Sequence, residues 1–183
     1  MKRTSHFGPY SRAAGMAFLL VLGAITPMGK AFSVDERHLS FYHTHTGKTI
    51  RITYAIGGEY VDSALDELNR FLSDFRTGDM TEMDPELLDL IYDVRESLGS
   101  DAAFEVISAY RSPKTNEMLR NRSDNSGVAK KSQHLLGKAI DVRLRDVSTA
   151  ELREAAIALG RGGVGYYEDS DFVHMDTGRV RKW

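Results

Sequence analysis

The stretch KSQHLLGKAIDVRL, residues 131–144, combines a β-strand pattern with an acid in an unusual place. Apolar side chains at every second position predict a strand over residues 138–144 that has one apolar face and places Asp141 on the other. A carboxylate within a strand is costly unless a neighbouring group offsets its charge. Gly137 lets the chain turn just before the strand, so that His134 can return over the same face. The stretch therefore predicts one His and one Asp facing a common space.

A His and an Asp that converge in this way provide two of the three protein ligands of a zinc site with an open position. His174 is the economical third ligand, because it lies mid-strand in FVHMD, residues 172–176, with acids nearby at Asp171 and Asp176. The residues alone leave a second interpretation open, in which a core His forms a hydrogen bond with Asp141 and no metal is bound.

His43 and His45 alternate onto one face of an earlier predicted strand and provide an alternative metal pair. No carboxylate and no third His lies near them in the sequence, whereas a metal site needs at least one more ligand. We therefore favour a turn-flanking or supporting role for these two histidines over metal binding.

The first 31 residues have the features of an export signal. They contain four basic side chains and no acid, and residues 13–25 form an apolar run of 13 residues. This run is too short to span a bilayer comfortably, and the small-x-small triplet GKA predicts cleavage before residue 32. A retained anchor or a buried helix is the alternative. We expect a signal peptide at 1–31, a domain at 32–183, a periplasmic location, and membrane contact only during export.

Charge and cysteine content narrow the class of protein further. The formal net charge is −2, and without the first 31 residues the chain keeps 20 basic and 26 acidic side chains. No basic patch is present, so nucleic acid is not an expected partner. The chain has no Cys, which excludes both disulfides and a lipidated Cys. An exported domain of this kind must be stabilised by its core or by a metal.

Periodicity predicts one α+β domain, with helices that flank a small, largely antiparallel sheet. Turn and cap residues set the boundaries, including a capping box formed by Ser148 and Glu151 and an N-cap at Asp84. In chain order the predicted elements are a hairpin at 38–61, helices at 61–76 and 83–99, a strand at 103–112, a helix at 113–122, a polar loop at 121–131, the strand at 138–144, a helix at 149–160, and two short strands at 162–167 and 171–176.

The motif Ser132-x-His134-x-x-Gly137-x-Ala139-x-Asp141, followed by Asp171-x-x-His174, resembles the zinc-site signature of the LAS metallopeptidases. That group comprises lysostaphin, the D-Ala-D-Ala metallopeptidases and Sonic hedgehog. The segments HTGKTI, SAYRSPKTNEMLR, GVAKKSQHLLGKAIDV and GGVGYYEDSDFVHMDTGRVRKW together resemble the periplasmic murein endopeptidase K branch of the D-Ala-D-Ala group. The resemblance extends from about residue 37 to residue 183 and implies a hedgehog/D-Ala-D-Ala-peptidase-like fold.

By this resemblance His134, Asp141 and His174 hold Zn²⁺ and leave a fourth position for water. Zinc in such a site lowers the pKa of its water toward about 7 and polarises the scissile carbonyl. The resemblance also implies that Arg111 stabilises the oxyanion or holds a substrate carboxylate, and that Ser132 hydrogen-bonds the bound peptide.

Two acids are candidates for the general base. The group's acid-x-x-His pattern indicates Asp171, although a regular strand would turn this residue away from the face of His174. Strand periodicity favours Asp176 instead, and Asp176 could equally accept a hydrogen bond from a ligand imidazole. We favour Asp171, because the backbone at the start of a strand need not be regular.

The resemblance implies a zinc endopeptidase that cuts the diaminopimelate-containing cross-links of peptidoglycan, with stem peptides as its partners and a monomeric state. Two alternatives use the same fold. One is a D,D- or L,D-carboxypeptidase that trims murein peptides, and the other is a non-catalytic cell-wall binding module stabilised by a metal. The sequence leaves open which cross-link is cut.

Overall fold

The computed structural model describes residues 1, 34–122 and 127–183. The predicted signal peptide at 1–31, apart from its first residue, and the centre of the polar loop at 123–126 lie outside these residues. Within the described part of the chain, no helix is both long and apolar enough to cross a bilayer.

The described residues form one eight-stranded mixed sheet and four α-helices, which confirms the α+β class. Neighbouring strands are mostly antiparallel, but the β1–β4 and β6–β8 pairs are parallel. The strand order is β3-β2-β1-β4-β5-β7-β6-β8. The strands are β1 (Glu36–His43), β2 (Thr49–Ile56), β3 (Glu59–Tyr60), β4 (Phe104–Ser108), β5 (Ala139–Arg143), β6 (Gly163–Tyr167), β7 (Phe172–Asp176) and β8 (Arg181–Lys182). The helices are α1 (Asp62–Phe71), α2 (Pro85–Leu98), α3 (Pro113–Arg120) and α4 (Thr149–Leu159).

The predicted helix caps are confirmed. Asp84 accepts a hydrogen bond from the backbone of Glu86 at the start of α2, and Ser148 and Glu151 form a reciprocal capping box at the start of α4. These contacts satisfy backbone N–H groups that have no partner inside the helix. The sequence therefore determines where both helices begin.

The predicted length of the first helix is wrong. The periodicity extends it to Arg76, whereas α1 ends at Phe71. The chain then turns around Asp74, whose carboxylate accepts hydrogen bonds from the backbone N–H groups of Arg76 and Ser112. A side chain that binds local backbone donors competes with the helix for them, and here it directs the chain toward the start of α3.

The alternation predicted for residues 138–144 is confirmed. Ile140 and Val142 are fully buried in the hydrophobic core, on the side where α2 packs against α4 and β1. Asp141 lies on the opposite face, because successive side chains of a strand point to opposite sides. The apolar face thus anchors the strand, and the other face is left for polar groups.

Two short strands, β3 and β8, were not predicted. β8 runs parallel to β6, and the backbone of Trp183 continues this pairing through hydrogen bonds with Val164 and Tyr166. Two residues are too few for a hydrophobic period to be recognised. The pairing matters for the site, because it brings the Trp183 ring to within 5.2 Å of the His174 ring, centroid to centroid.

Candidate metal centre

Asp141, His134 and His174 converge on one point above the polar face of the sheet. Asp141 on β5 and His174 on β7 are direct antiparallel partners. His134 Nε2 lies 3.2 Å from Asp141 Oδ1 and 3.1 Å from His174 Nδ1, and the last two atoms are 2.8 Å apart. Within the described residues, these three side chains form the group of His and acidic residues that could hold a metal ion.

A short 3-10 helix, Gln133–Leu136, delivers His134 to this point. Ser132 caps the helix, with its Oγ accepting a hydrogen bond from the His134 backbone at 3.4 Å. Gly137 then reverses the chain at a φ of +67°, where a β-carbon would also clash with the backbone carbonyl of Glu82. Glycine is needed here both for the left-handed backbone and for space. The predicted return of His134 over the strand is confirmed.

Each histidine is oriented by an acceptor on its far side. His134 Nδ1 donates to the backbone carbonyl of Ala109 at 2.6 Å, and His174 Nε2 donates to Asp176 Oδ2 at 2.9 Å. These bonds fix the tautomers, so that His134 Nε2 and His174 Nδ1 present lone pairs toward Asp141. Acceptors behind imidazole ligands are a regular feature of metal sites in proteins.

The charges at this point interact strongly. Burial lowers the pKa of His134 despite the nearby carboxylate. For His174 burial acts in the same direction, but the carboxylates of Asp141 and Asp176 stabilise the doubly protonated ring, outweigh burial and raise the pKa. Burial opposes the ionisation of Asp141, yet the two imidazoles hold its pKa well below the usual range. The carboxylate therefore stays charged in a buried position and requires a cation nearby.

The donor set fits a divalent metal of the zinc type. Zinc bonds of about 2.0 to 2.1 Å at tetrahedral angles separate ligand atoms by roughly 3.3 Å, close to the three separations in this group. Three lone pairs pointing at one another repel unless a cation lies between them. Two neutral imidazoles and one carboxylate also leave a fourth position open for water or substrate. The arrangement thus favours metal binding over a core His paired with Asp141.

Among the described residues, Arg111 is the only Arg or Lys that forms an ion pair with one of the three ligands. Its backbone N–H donates to the His134 carbonyl at 3.2 Å, and its guanidinium lies 3.9 Å from Asp141 Oδ2. The side chain is buried, and Nε has no hydrogen-bond partner within the described chain. Burial lowers the pKa of Arg111, and Asp141 opposes this effect. Arg111 is therefore held beside the centre with donors still available.

A cleft of about 450 Å³ is lined by two of the three ligands, Asp141 and His174. Arg111 and Ser132 also line it. Ser132 accepts a hydrogen bond from the His134 backbone through Oγ, and a hydroxyl that accepts one bond can still donate another. The structure thus places these predicted site residues around one space.

The two candidate general bases occupy different environments. Asp176 is fully buried behind His174, where its two oxygens also accept hydrogen bonds from the N–H groups of Gly163 and Gly178 and from Arg181. Asp171 has its own irregular backbone, with a φ of +51°. Its carboxylate accepts from Arg143 at 3.2 Å and Thr149 at 3.0 Å.

The structure does not bring Asp171 to the three ligands. Its carboxylate lines a separate, more open depression of about 630 Å³, together with Arg143 and Thr149. None of the three ligands lines this depression. The predicted irregularity at the strand start is nevertheless present, because Asp171 is the only non-glycine residue of the described chain with a positive φ.

Several contributors to the site were not identified from the sequence. The carbonyl of Ala109 gives no signal, since every residue carries one. Arg181 and Trp183 lie in the segment GRVRKW, but polar and aromatic residues near the end of a domain have many structural roles. His45 lines the cleft and stacks on Phe75 at 4.1 Å. Neither His43 nor His45 belongs to the metal-capable group among the described residues.

The sequence of the chain matches one family of known proteins. A family model described as peptidoglycan L,D-endopeptidase MepK matches residues 31–183. The chain is 41% identical over 174 residues to the peptidoglycan L,D-endopeptidase MepK of Escherichia coli strain K12, covering 90% of this chain and 94% of that protein. It is 40% identical over 148 residues to the probable peptidoglycan L,D-endopeptidase MepK of Haemophilus influenzae, covering 80% and 78% of the two chains. No solved structure matches.

The family match spans the whole cleft and all three ligand positions. Peptidases of this family are metal-dependent, and the His-Asp-His group provides ligands of the required type. The predicted resemblance is thereby confirmed: the chain belongs to the peptidoglycan L,D-endopeptidase MepK family of metallopeptidases.

Proposed function

We propose that the protein is a zinc-dependent murein endopeptidase that hydrolyses peptide cross-links of peptidoglycan. The observation that carries the proposal is the convergence of His134, Asp141 and His174, with both tautomers fixed, beside a cleft that Asp141 and His174 line. The relatives' names specify an L,D bond. Of the cross-links that contain diaminopimelate, the one between two diaminopimelate residues joins an L-centre to a D-centre, and it is therefore the proposed substrate.

In this proposal His134 Nε2, Asp141 Oδ1 and His174 Nδ1 hold Zn²⁺. When bound, zinc supplies Lewis acidity, which activates water and polarises the scissile carbonyl. Arg111 directs its free donors at the oxygen that becomes negative in the transition state, or at a carboxylate beside the scissile bond. Ser132 donates its hydroxyl to the peptide backbone and keeps the bond in register with the ligands.

The two acids take different roles in the proposal. Asp176 is a positioning residue, because both its oxygens are engaged and it contacts the nitrogen of His174 that faces away from the other ligands. Asp171 is retained as the general base on the acid-x-x-His pattern alone. Its present ion pair with Arg143 is exposed, and exposed pairs contribute only about 0 to 1 kcal/mol. The carboxylate can therefore leave Arg143 at little cost, and the other contact it gives up is the hydrogen bond from Thr149.

Digestion of purified sacculi tests the function. We expect the zinc-loaded protein to convert cross-linked muropeptides to monomers, and mass spectrometry of the products to show cleavage between two diaminopimelate residues. Release of free D-alanine from monomers with all cross-links retained would instead identify a carboxypeptidase. Binding to sacculi without any new product would identify a binding module.

Location and domain boundaries belong to the same proposal. A murein substrate requires an exported enzyme, and the basic, apolar and small-residue pattern of residues 1–31 supports export to the periplasm followed by cleavage before Phe32. The zinc peptidase domain then comprises residues 32–183. N-terminal sequencing of the protein from a periplasmic extract should begin at about Phe32, and an intact Met1 in the cytosol would refute the proposal.

The proposal also includes a specific fold type and a monomeric state. The order of the ligand motifs on β5 and β7 supports a hedgehog/D-Ala-D-Ala-peptidase-like fold. A monomer is supported because one chain supplies all three metal ligands together with Arg111 and Ser132.

A further inference from the structure

The cleft beside the ligands carries an excess of positive charge. Among the described residues Asp141 is the only acid that lines it, whereas its cationic lining residues are Arg76, Arg111, Arg122, Lys131 and Arg181. Asp176 neutralises Arg181 through a 2.6 Å ion pair. The negative charge of Asp141 interacts with the imidazoles of His134 and His174. The remaining cations therefore face the cleft without an equivalent number of carboxylates.

Among these cations, Arg76 packs its side chain against an aromatic ring. Its guanidinium lies 4.1 Å above the ring of Phe75, and Phe75 in turn stacks on His45 with an interplanar angle of 13°. The backbone of Arg76 is fixed by a 3.0 Å hydrogen bond to Asp74. The aromatic face thus holds the planar guanidinium in place and leaves its N–H donors open. No carboxylate of the described chain forms an ion pair with it.

Arg76 is exposed and has both a cation and a carboxylate near it. Partial burial lowers the pKa of Arg76, Asp74 opposes this, and Arg122 lowers it further. Arg76 in turn lowers the pKa of Arg111. The oxygens of Asp74 are already engaged by backbone N–H groups, and these contacts together with Thr115 hold its pKa at about 2 although burial opposes the charge. Neighbouring like charges repel, and an anion placed between them relieves the repulsion.

We propose that Arg76 is a specificity residue that binds a free carboxylate of the stem peptide, one distinct from any carboxylate held by Arg111. The inference rests on the proposed murein substrate. Stem peptides carry several free carboxylates, and a planar guanidinium matches a carboxylate through two parallel hydrogen bonds. Arg122, at the edge of the same wall, attracts the same group.

Kinetics on paired substrates test this subsite. The substrates are a cross-linked muropeptide dimer from sacculi and the same dimer with its free carboxylates converted to amides. On the native dimer Arg76→Gln should raise KM about tenfold and change kcat less than about threefold, since the lost contact serves binding rather than the chemical step. On the amidated dimer Arg76→Gln and the wild type should have the same KM. Arg76→Lys should show an intermediate KM on the native dimer, because lysine keeps the charge but loses the planar guanidinium that forms two parallel hydrogen bonds.

Arg70→Gln is the matched control, because it removes an exposed guanidinium from the same region of sequence at a position that does not line the cleft. It should leave KM within about twofold of the wild type. A KM for Arg76→Gln equal to that of the control, or an equal loss on native and amidated dimers, would overturn the proposal. Unchanged metal content and thermal midpoint would show that Arg76→Gln is folded and loaded.

A binding measurement separates this proposal from the proposed function. Trp183 is the single Trp of the chain, is half exposed and lines the cleft, so its fluorescence reports occupancy without turnover. Titration with the monomeric muropeptide should give a Kd about tenfold weaker for Arg76→Gln than for the wild type and Arg70→Gln. That result would support the subsite even if no cross-link were cut. Equal affinities of all three proteins would refute it even if the wild type cleaved sacculi.

Discussion

Replacing His174 with alanine should remove the bound metal and nearly abolish cross-link cleavage. The imidazole supplies one of three ligand atoms, and its loss leaves the carboxylate of Asp141 and a single histidine to hold the ion. Metal activation contributes several kcal/mol to the reaction, which corresponds to about a thousandfold in rate. Elemental analysis should show about one zinc per chain in the wild type and strongly reduced zinc in the variant. His134→Ala and Asp141→Ala should behave alike.

His38→Ala provides the control for these substitutions. His38 lies on β1, where its ring contacts Arg51, and it does not line the cleft. The control should keep the wild-type zinc content and cleavage rate. Full zinc occupancy in all three ligand variants would refute the ligand set, and full cleavage by a metal-free variant would refute metal dependence in this protein.

Replacing Asp176 with asparagine should weaken metal binding without removing it. Asp176 accepts the hydrogen bond from His174 Nε2, and substitution of such partners lowers metal affinity by about ten- to a hundredfold. Excess zinc should therefore restore part of the activity. Zinc titration against a competing chelator measures the affinity directly, and cleavage of muropeptide dimers at rising zinc concentration measures the rescue. An affinity equal to that of the wild type would contradict the positioning role.

The same measurements on Asp171→Asn decide the general base. If Asp171 is the base, as the acid-x-x-His pattern predicts, the variant is zinc-replete and its turnover falls about a hundredfold or more. Arg143→Gln removes the present partner of Asp171 and serves as the matched control for loss of that ion pair. Wild-type turnover by Asp171→Asn would show that the attacking water is activated without a carboxylate at this position, and that the contact with Arg143 describes the working state.

The sequence was sufficient for the parts of the site that follow local rules. Period-two alternation correctly assigned Ile140 to the core and Asp141 to the other face. The strand position of His174 and the acids near it indicated this residue as a third ligand beside His134 and Asp141, and the family resemblance implied the same set. Register between β5 and β7 lies beyond such rules, because it depends on how many residues the intervening helix and turns take up. The direct pairing of Asp141 with His174 became visible only in the structure.

The two acids show where local rules fail. Strand periodicity placed Asp176 on the face of His174, which is where it lies, but could not reveal that four groups already engage its oxygens. At Asp171 the left-handed backbone interrupts the regular alternation of side chains along the strand. The carboxylate consequently points to Arg143, which shares a strand face with Asp141. Asp171 meets groups that are distant in sequence, Arg143 and Thr149. Most partners of Asp176 lie within five residues of it, and their contacts depend on how the chain turns after β7.

The contact between the last strand and the metal centre has a consequence for sequence divergence in the family. A β-carbon at Gly165 would lie 2.6 Å from the Trp183 ring, and one at Gly163 would lie 2.6 Å from Asp176 Oδ2. Real β-carbons do not approach other atoms so closely, so any larger residue must displace the groups that orient His174. Natural variation at these two positions should thus be restricted, and a saturation mutagenesis screen for cell-wall cleavage should be enriched in glycine at both.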